Sequence, residues 1–287
     1  MSNWYRPKDL SEALQIRSET DAIPLAGATD LYVRHRRGGG MAPALERPIL
    51  YIAHLSELSG VEIGNKAIRI GAAAPYTDIM REPRVPEVLR AAIWELAAPA
   101  LRNAGTMGGN ICNASPAADA VCPLYALDAV CELRSKEGSR TLPITEVIAG
   151  PGRTVLKKDE LLTSISFPRK PQGVWFYRKV GTRRANALSK LSIAAEARYQ
   201  VGELTEVAIA IGAVAPTVVR VPELERELLG PVADLSTRAE RVIAGYSEAI
   251  SPIDDQRSTA GYRREVAVNL VRQFIQEKLL SREPALS

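Results

Sequence analysis

The sequence predicts a mixed α+β chain whose texture changes near residue 170. Three observations carry this. Short strand-like and helix-like segments interleave from Ala22 to Pro168. The stretch "PRKPQG", Pro168 to Gly173, then breaks the pattern. Beyond it come three strand-like runs in succession, followed by helices, the order expected of a three-stranded antiparallel sheet backed by helices on one side. A length of 287 residues suits two or three domains.

Taken in order, "DLSEALQIRSE" reads as a helix and "AIPLAG" as a short strand that breaks at Gly27. "ATDLYVRHRR" looks helical, with "GGG" ending it. "ILYIAHLSEL" and "VEIGNKAIRIGAAA" read as strands, the second a hairpin turning at Gly64-Asn65. "PEVLRAAIWELAAPALR" is the clearest helix. Leu89, Ile93, Leu96 and Ala100 share a face, Pro86 suits the first turn, and Pro99 is expected to end or kink it. "DAVCPLYALDA" is a short helix, and "VCELRS", "RTLPI" and "LLTSISFP" are strands. In the last third, "VWFYRKV", "LSIAAEARYQ" and "LTEVAIAIGAV" are the three strands. "VPELERELLG", "LSTRAERVIAGYSEAI" and "YRREVAVNLVRQFIQEKLL" are amphipathic helices, the last with Val271, Phe274, Ile275 and Leu279 on one face.

Composition excludes several function classes. Hydrophobic content of 46% and charged content of 24% are ordinary for a soluble globular protein. Net charge is +4, the basic residues are scattered, and aromatics make up 5%, which argues against a nucleic-acid partner. Three cysteines, Cys112, Cys122 and Cys131, form neither a disulfide framework nor a CxxC metal motif. With two histidines in addition, no metal site held by this chain alone is expected. The polar start is not a signal peptide and no apolar run is long enough to span a bilayer, so a cytoplasmic setting is expected.

Four constellations stand out. In "PLAGATDL", Pro24 to Leu31, a strand ends in a Gly turn and a helix follows at once. Helix N-termini offer unpaired N–H groups to a phosphate, although an ordinary strand–turn–helix connection reads the same way. "GTMGGN", Gly105 to Asn110, is neither GxGxxG nor a Walker loop. Gly108-Gly109 allows positive φ and an anion-binding nest, with Thr106 and Asn110 as side-chain donors, or it is a plain Gly-rich loop. Asp119 suits a ribityl or ribose hydroxyl, or a helix N-cap. Lys179 could meet phosphate or a ring carbonyl, as could Arg183 and Arg184, or lie in solvent at a strand end. No GxSxG or HExxH motif is present, and neither histidine lies in an acid–base signature, so no catalytic residue is assigned. Two anion-cradling segments without a nucleophile point to a cofactor that carries the chemistry itself.

In combination, "PLAGATDL", "RIGAAAPYTDI", "RNAGTMGGNICNASPAADA", "GPGRTVLKKDELLTSISFP", "YRKVGTRRANALSK" and "AIGAVAPTVVRVPELE" resemble the FAD-binding (medium) subunit of molybdenum hydroxylases, the xanthine and carbon-monoxide dehydrogenase family. The similarity covers nearly the whole chain. It implies a two-lobed FAD-binding domain of the vanillyl-alcohol-oxidase (PCMH) type, divided as residues 1–55 and 56–170. Residues 171–287 would form a carbon-monoxide dehydrogenase flavoprotein C-terminal domain. It implies FAD in this chain, held by Leu25, Ala26, Gly27, Ala28, Thr29, Asp30 and Leu31 at the diphosphate, and by Thr106, Gly108, Gly109 and Asn110 at the diphosphate and ribityl. Asp119 would take ribityl or adenosine hydroxyls, Leu162 would pack near the ring, Lys179 would lie near the isoalloxazine, and Thr77 is a weaker carry-over. Ala28 replaces a usual glycine; the loop is expected to hold it in an ordinary backbone region.

The resemblance further implies two [2Fe-2S] clusters in a small partner subunit and a molybdopterin cofactor in a large one. It implies a dimer of heterotrimers and an external electron acceptor. A stand-alone flavin oxidase or reductase of the same fold, and a scaffold that has lost FAD, are the competing readings. The first would need its own acid–base residues, and Ala28 is the only hint of the second.

Overall fold

The structure, a computed structural model, describes residues 4–41, 43–183 and 186–281. Contacts divide the chain into two units: Met1–Val85, Ala97–Ala114 and Asp128–Arg169 in the first, and Pro86–Leu96, Ser115–Leu127 and Lys170–Ser287 in the second. Arg184 lies outside the described residues.

In the first unit, Asp9 caps the Leu10–Glu19 helix by accepting from the Glu12 N–H at 2.8 Å. The helix buries Leu10, Ala13 and Leu14 with Leu50, Ile52, Leu55, Leu58 and Leu161. Strands Trp4–Tyr5 and Ile23–Leu25 both pair parallel to Ile49–Tyr51 between them. A second sheet, wholly antiparallel, runs Val61–Ile63, Ala67–Gly71, Leu161–Pro168, Val130–Ser135, Gly138–Pro143. Its first hairpin turns where expected: the Gly64 N–H donates to the Ala67 carbonyl at 2.9 Å.

Two expected helices and one expected loop differ. The "ATDLYVRHRR" helix is one turn, Leu31–Arg34. The run beyond it has no apolar periodicity to bury, and the chain doubles back so that the Ala44 N–H reaches the His35 carbonyl at 2.8 Å. The clearest predicted helix is two, Glu87–Glu95 and Pro99–Ala104. Ala97 turns left-handed at φ 49° and Ala98, before proline, is extended, so Pro99 opens a helix instead of ending one. Finally, the "GTMGGN" segment is no nest: Met107–Asn113 is a helix, with Thr106 as its N-cap.

In the second unit, Val174–Gly181, Ser189–Gln200 and Glu203–Gly212 form the three long antiparallel strands. Two two-residue strands, Val219–Arg220 and Gly230–Pro231, also pair with the third, so the sheet has five strands where three were expected. One face, with Phe176, Leu191, Ile193, Ile209 and Ile211, packs on the Leu235–Ala249 and Ala260–Phe274 helices, and Val271, Phe274, Ile275 and Leu279 are fully buried there. The expectation of helices on one side needs correcting. Tyr177, Ser192, Ala194 and Ala210 on the other face are also buried, beneath the helices Glu87–Glu95 and Val121–Ala126. Those helices come from earlier in the chain, so the string order of strands then helices does not show them.

Candidate functional site

The Ile23–Leu25 strand ends against Ile49–Tyr51, and the chain then turns sharply. Gly27 is required by a close approach: a Cβ there would stand 1.9 Å from the Ala104 carbonyl oxygen. Ala28 has φ 60°, contrary to the expected ordinary region. The left-handed conformation costs an L-residue roughly 1–2 kcal/mol, so the surrounding structure imposes it. Its effect is on the amides. The N–H groups of Gly27, Ala28, Thr29, Asp30 and Leu31 donate to no acceptor among the described residues. Ala28 is left-handed and Asp30 right-handed at φ −98°, ψ −39°, so the chain bends within a run of five amides that have no partner among those residues, donors of the kind an anion takes.

The second predicted segment is built differently. The Gly108 N–H donates to the Ala72 carbonyl at 2.9 Å, the Gly109 N–H to Thr106 Oγ1 at 3.1 Å, and the Asn110 N–H to the Thr106 carbonyl at 3.1 Å. All three amides are therefore consumed inside the protein. What the segment leaves over is a side chain: Asn110 Oδ1 is buried with no hydrogen-bond partner among the described residues. A native structure seldom tolerates such an orphan without a missing partner.

Several contacts tie these segments together within the first unit. Besides the Gly27–Ala104 approach, Asn113 Nδ2 donates to Asp30 Oδ2 at 3.0 Å, so the end of the Met107–Asn113 helix holds the start of the Leu31–Arg34 turn. Thr77 Oγ1 donates to Asn103 Oδ1 at 2.6 Å, next to Ala104. Leu162 is buried in its strand opposite Leu133, and the neighbouring Thr163 carbonyl takes the Ala72 N–H at 3.0 Å.

Asp119 and Lys179 belong to the second unit, where they meet each other. Lys179 Nζ donates to Asp119 Oδ2 at 2.6 Å and to the Glu95 carbonyl at 3.1 Å. The Glu95 carbonyl ends a helix, where the backbone dipole favours a cation. Asp119 is not an N-cap: Ala120 holds that position without a side-chain cap. Its other oxygen, Oδ1, accepts from the Ser189 hydroxyl. Burial pushes the Asp119 carboxyl up from the usual carboxylate range, and Lys179 and Ser189 pull it back. Burial likewise raises Glu95. Lys179 is among the residues that line a pocket of about 380 Å³, with Trp94, Glu95, Gly181 and Asn186. Nearby, the buried Cys122 thiol is pushed up to about 12 by desolvation, so it is no nucleophile. Sequence reasoning missed Ser189 and the Glu95 carbonyl. A serine in "LSKLSI" and a backbone oxygen carry no sequence signal.

Comparison with known proteins gives the family. The family described as the FAD binding domain in molybdopterin dehydrogenase matches residues 1–170, and the CO dehydrogenase flavoprotein C-terminal domain matches residues 175–278. The xanthine dehydrogenase FAD-binding subunit of Escherichia coli O157:H7 is 29% identical over 284 residues, covering 96% of this chain and 95% of the relative. The glyceraldehyde dehydrogenase medium chain of Sulfolobus acidocaldarius is 30% identical over 286 residues, covering 96% and 97%. Among solved structures, the carbon monoxide dehydrogenase of Hydrogenophaga pseudoflava, in a form lacking the Mo-pyranopterin moiety, superposes with a TM-score of 0.86 at 27% identity over 95% of each chain. The chain therefore belongs to the FAD-binding subunits of the molybdenum hydroxylases, and is an oxidoreductase subunit of that family.

Proposed function

We propose that this chain holds FAD as the electron-transfer subunit of a multisubunit molybdenum hydroxylase. Electrons from a molybdenum centre in a large partner would pass through iron–sulfur clusters of a small partner to FAD, and from FAD to an external acceptor. The observation that carries the reading is the run of five unengaged amides from Gly27 to Leu31 around left-handed Ala28. A diphosphate is an anion of the right kind for such a run of donors.

The residues present fit the cofactor. Leu25 to Leu31 would hold the diphosphate through main-chain N–H groups. Asn110, with its orphaned buried oxygen, would accept from a hydroxyl of the ribityl chain. Thr106, Gly108 and Gly109 would shape that wall, and Thr77 would steady it through Asn103. Leu162 would exclude water near the ring system. Asp119 would act mainly by holding Lys179, whose ammonium uses two of its three N–H groups on Asp119 and Glu95. The third would be left for the isoalloxazine. FAD supplies the chemistry that no side chain here can, accepting and releasing electrons one or two at a time.

The test is purification with the neighbouring subunits and without them. The expected result is a yellow chain that takes up FAD stoichiometrically and co-purifies with molybdenum and iron when its partners are present. A chain that stays colourless in excess FAD would refute the reading. A yellow monomer that oxidised a small substrate unaided would replace it with the stand-alone oxidase.

A further inference from the structure

We infer that Ser189 is a positioning residue for the flavin: through Asp119 it fixes the Lys179 ammonium, and so sets the flavin's reduction potential. This rests on the reading that Lys179 addresses the isoalloxazine.

The first support is backbone geometry. In the Val174–Gly181 and Ser189–Gln200 pair, Tyr177 lies opposite Ala194, Lys179 opposite Ser192 and Val180 opposite Leu191. The next pair is Gly181 with Ser189, so Lys190 is one residue too many. Strict alternation would place Ser189 with Leu191 and Ile193 on the face that packs against the C-terminal helices. The extra residue shifts it onto the face that carries Tyr177 and Lys179. Bulges of this kind re-aim a side chain, and they occur preferentially beside functional sites.

The second support is what Ser189 does there. It is 1% exposed and its hydroxyl donates to Asp119 Oδ1, while Lys179 donates to Oδ2. The Asp119 and Lys179 side chains are 10% and 6% exposed. Donors on both oxygens offset the cost of burying a carboxylate, and the carboxylate so held fixes the position of its lysine partner. The groups around it come from every packed element. They are Glu95 at the end of its helix, Cys122 on the Val121–Ala126 helix, and Tyr177 on the strand. Tyr177 brings no help to the carboxylate, since its buried hydroxyl has no partner among the described residues. Ser189 is thus the one neutral donor to Asp119 among the described residues. Lys179 lines the pocket and Ser189 does not, so the serine acts at second hand.

A fixed positive charge beside the ring favours the electron-rich reduced flavin and raises its potential. The test uses the full FAD-loaded chain as wild type, Lys179→Met, Ser189→Ala, Ser189→Cys and Ser189→Thr. The readouts are dye-equilibrated midpoint potential, FAD content, and thermal unfolding of the FAD-free chain. Lys179→Met is expected to shift the oxidised-to-reduced ratio about tenfold, a fall of about 30 mV for a two-electron couple. Ser189→Ala should fall about threefold in the same direction, Ser189→Cys between it and wild type, and Ser189→Thr should restore the wild-type value. An unchanged potential in Ser189→Ala, with Lys179→Met lowered, would overturn the role of the serine and leave the flavin reading intact. Equal lowering in Ser189→Ala and Ser189→Thr, tracking lost stability, would also overturn it as mere structural damage. If Lys179→Met keeps the wild-type potential while holding FAD, the lysine does not address the ring and the inference falls with it. Should Ser189→Ala fail to fold, the Cys and Thr pair decides by the same ordering.

Discussion

As strings, "PLAGATDL" and "GTMGGN" both read as turns that free main-chain amides, but only the first does so. Its amides from Gly27 to Leu31 are unengaged, and the left-handed position that arranges them is occupied by alanine. The second has adjacent glycines, neither of them at positive φ, and its amides from Gly108 to Asn110 are spent inside the fold. Glycine in both segments serves closeness. Gly27 lets the Ala104 carbonyl in, and Gly108 lets in Ala72, whose carbonyl oxygen would be 2.6 Å from an added Cβ. Conformational freedom and lack of volume are separate properties of glycine, and here they fall on different residues.

The contrast can be broken at chosen points. Gly27→Ala should be the most damaging change, because the obstacle at 1.9 Å is backbone. Overpacking costs of about 1–3 kcal/mol apply to clashes that can relax, so a loss of at least about 3 kcal/mol is expected in urea unfolding of the FAD-free chain. Loss of FAD binding should accompany it; near-normal stability would show that the two segments do not need their contact. Gly108→Ala is expected to cost about 1–2 kcal/mol, since a clash of about 2–3 is offset by nearly 1 from helix propensity. Gly109→Ala is its control. Its Cβ would meet only Thr106 Oγ1 at 3.0 Å, so the propensity gain and the perturbed cap should nearly cancel. If the two variants proved equal, the volume argument would fail. Ala28→Gly should be the one variant whose stability rises. Relief of roughly 1–2 kcal/mol of left-handed strain is opposed by about 0.4–1 of added freedom in the unfolded chain, so stability should rise by no more than about 1.6 kcal/mol. FAD affinity, followed by flavin fluorescence, should stay within a few-fold of wild type. A large gain in affinity would mean that the left-handed alanine does not set the arrangement of these amides.

Much of the fold was legible because it rests on local pattern. The antiparallel strands from Val130 to Pro168, the three long strands after Val174, and the buried stripe of the last helix all follow from apolar periodicity and turn chemistry. The short turn at Leu31–Arg34 and the split at Ala97 were not legible, because propensity does not report whether a face will find something to bury against. In the candidate diphosphate loop the amides are unengaged as expected, but Ala28 is left-handed where an ordinary region was expected.

By itself the sequence determined the class of fold, the family, and the two segments and two charged residues on which FAD binding is proposed. Each depends on residue type at near-neighbour spacing. The tertiary structure decided which amides are free, which glycines are needed for room, and that Asp119 answers to Lys179 and Ser189. It also decided, through one surplus residue in a strand, which way Ser189 faces. Those outcomes depend on carbonyls and side chains brought up from distant stretches, and a hydrogen bond depends on where its partner stands, which no local spacing encodes.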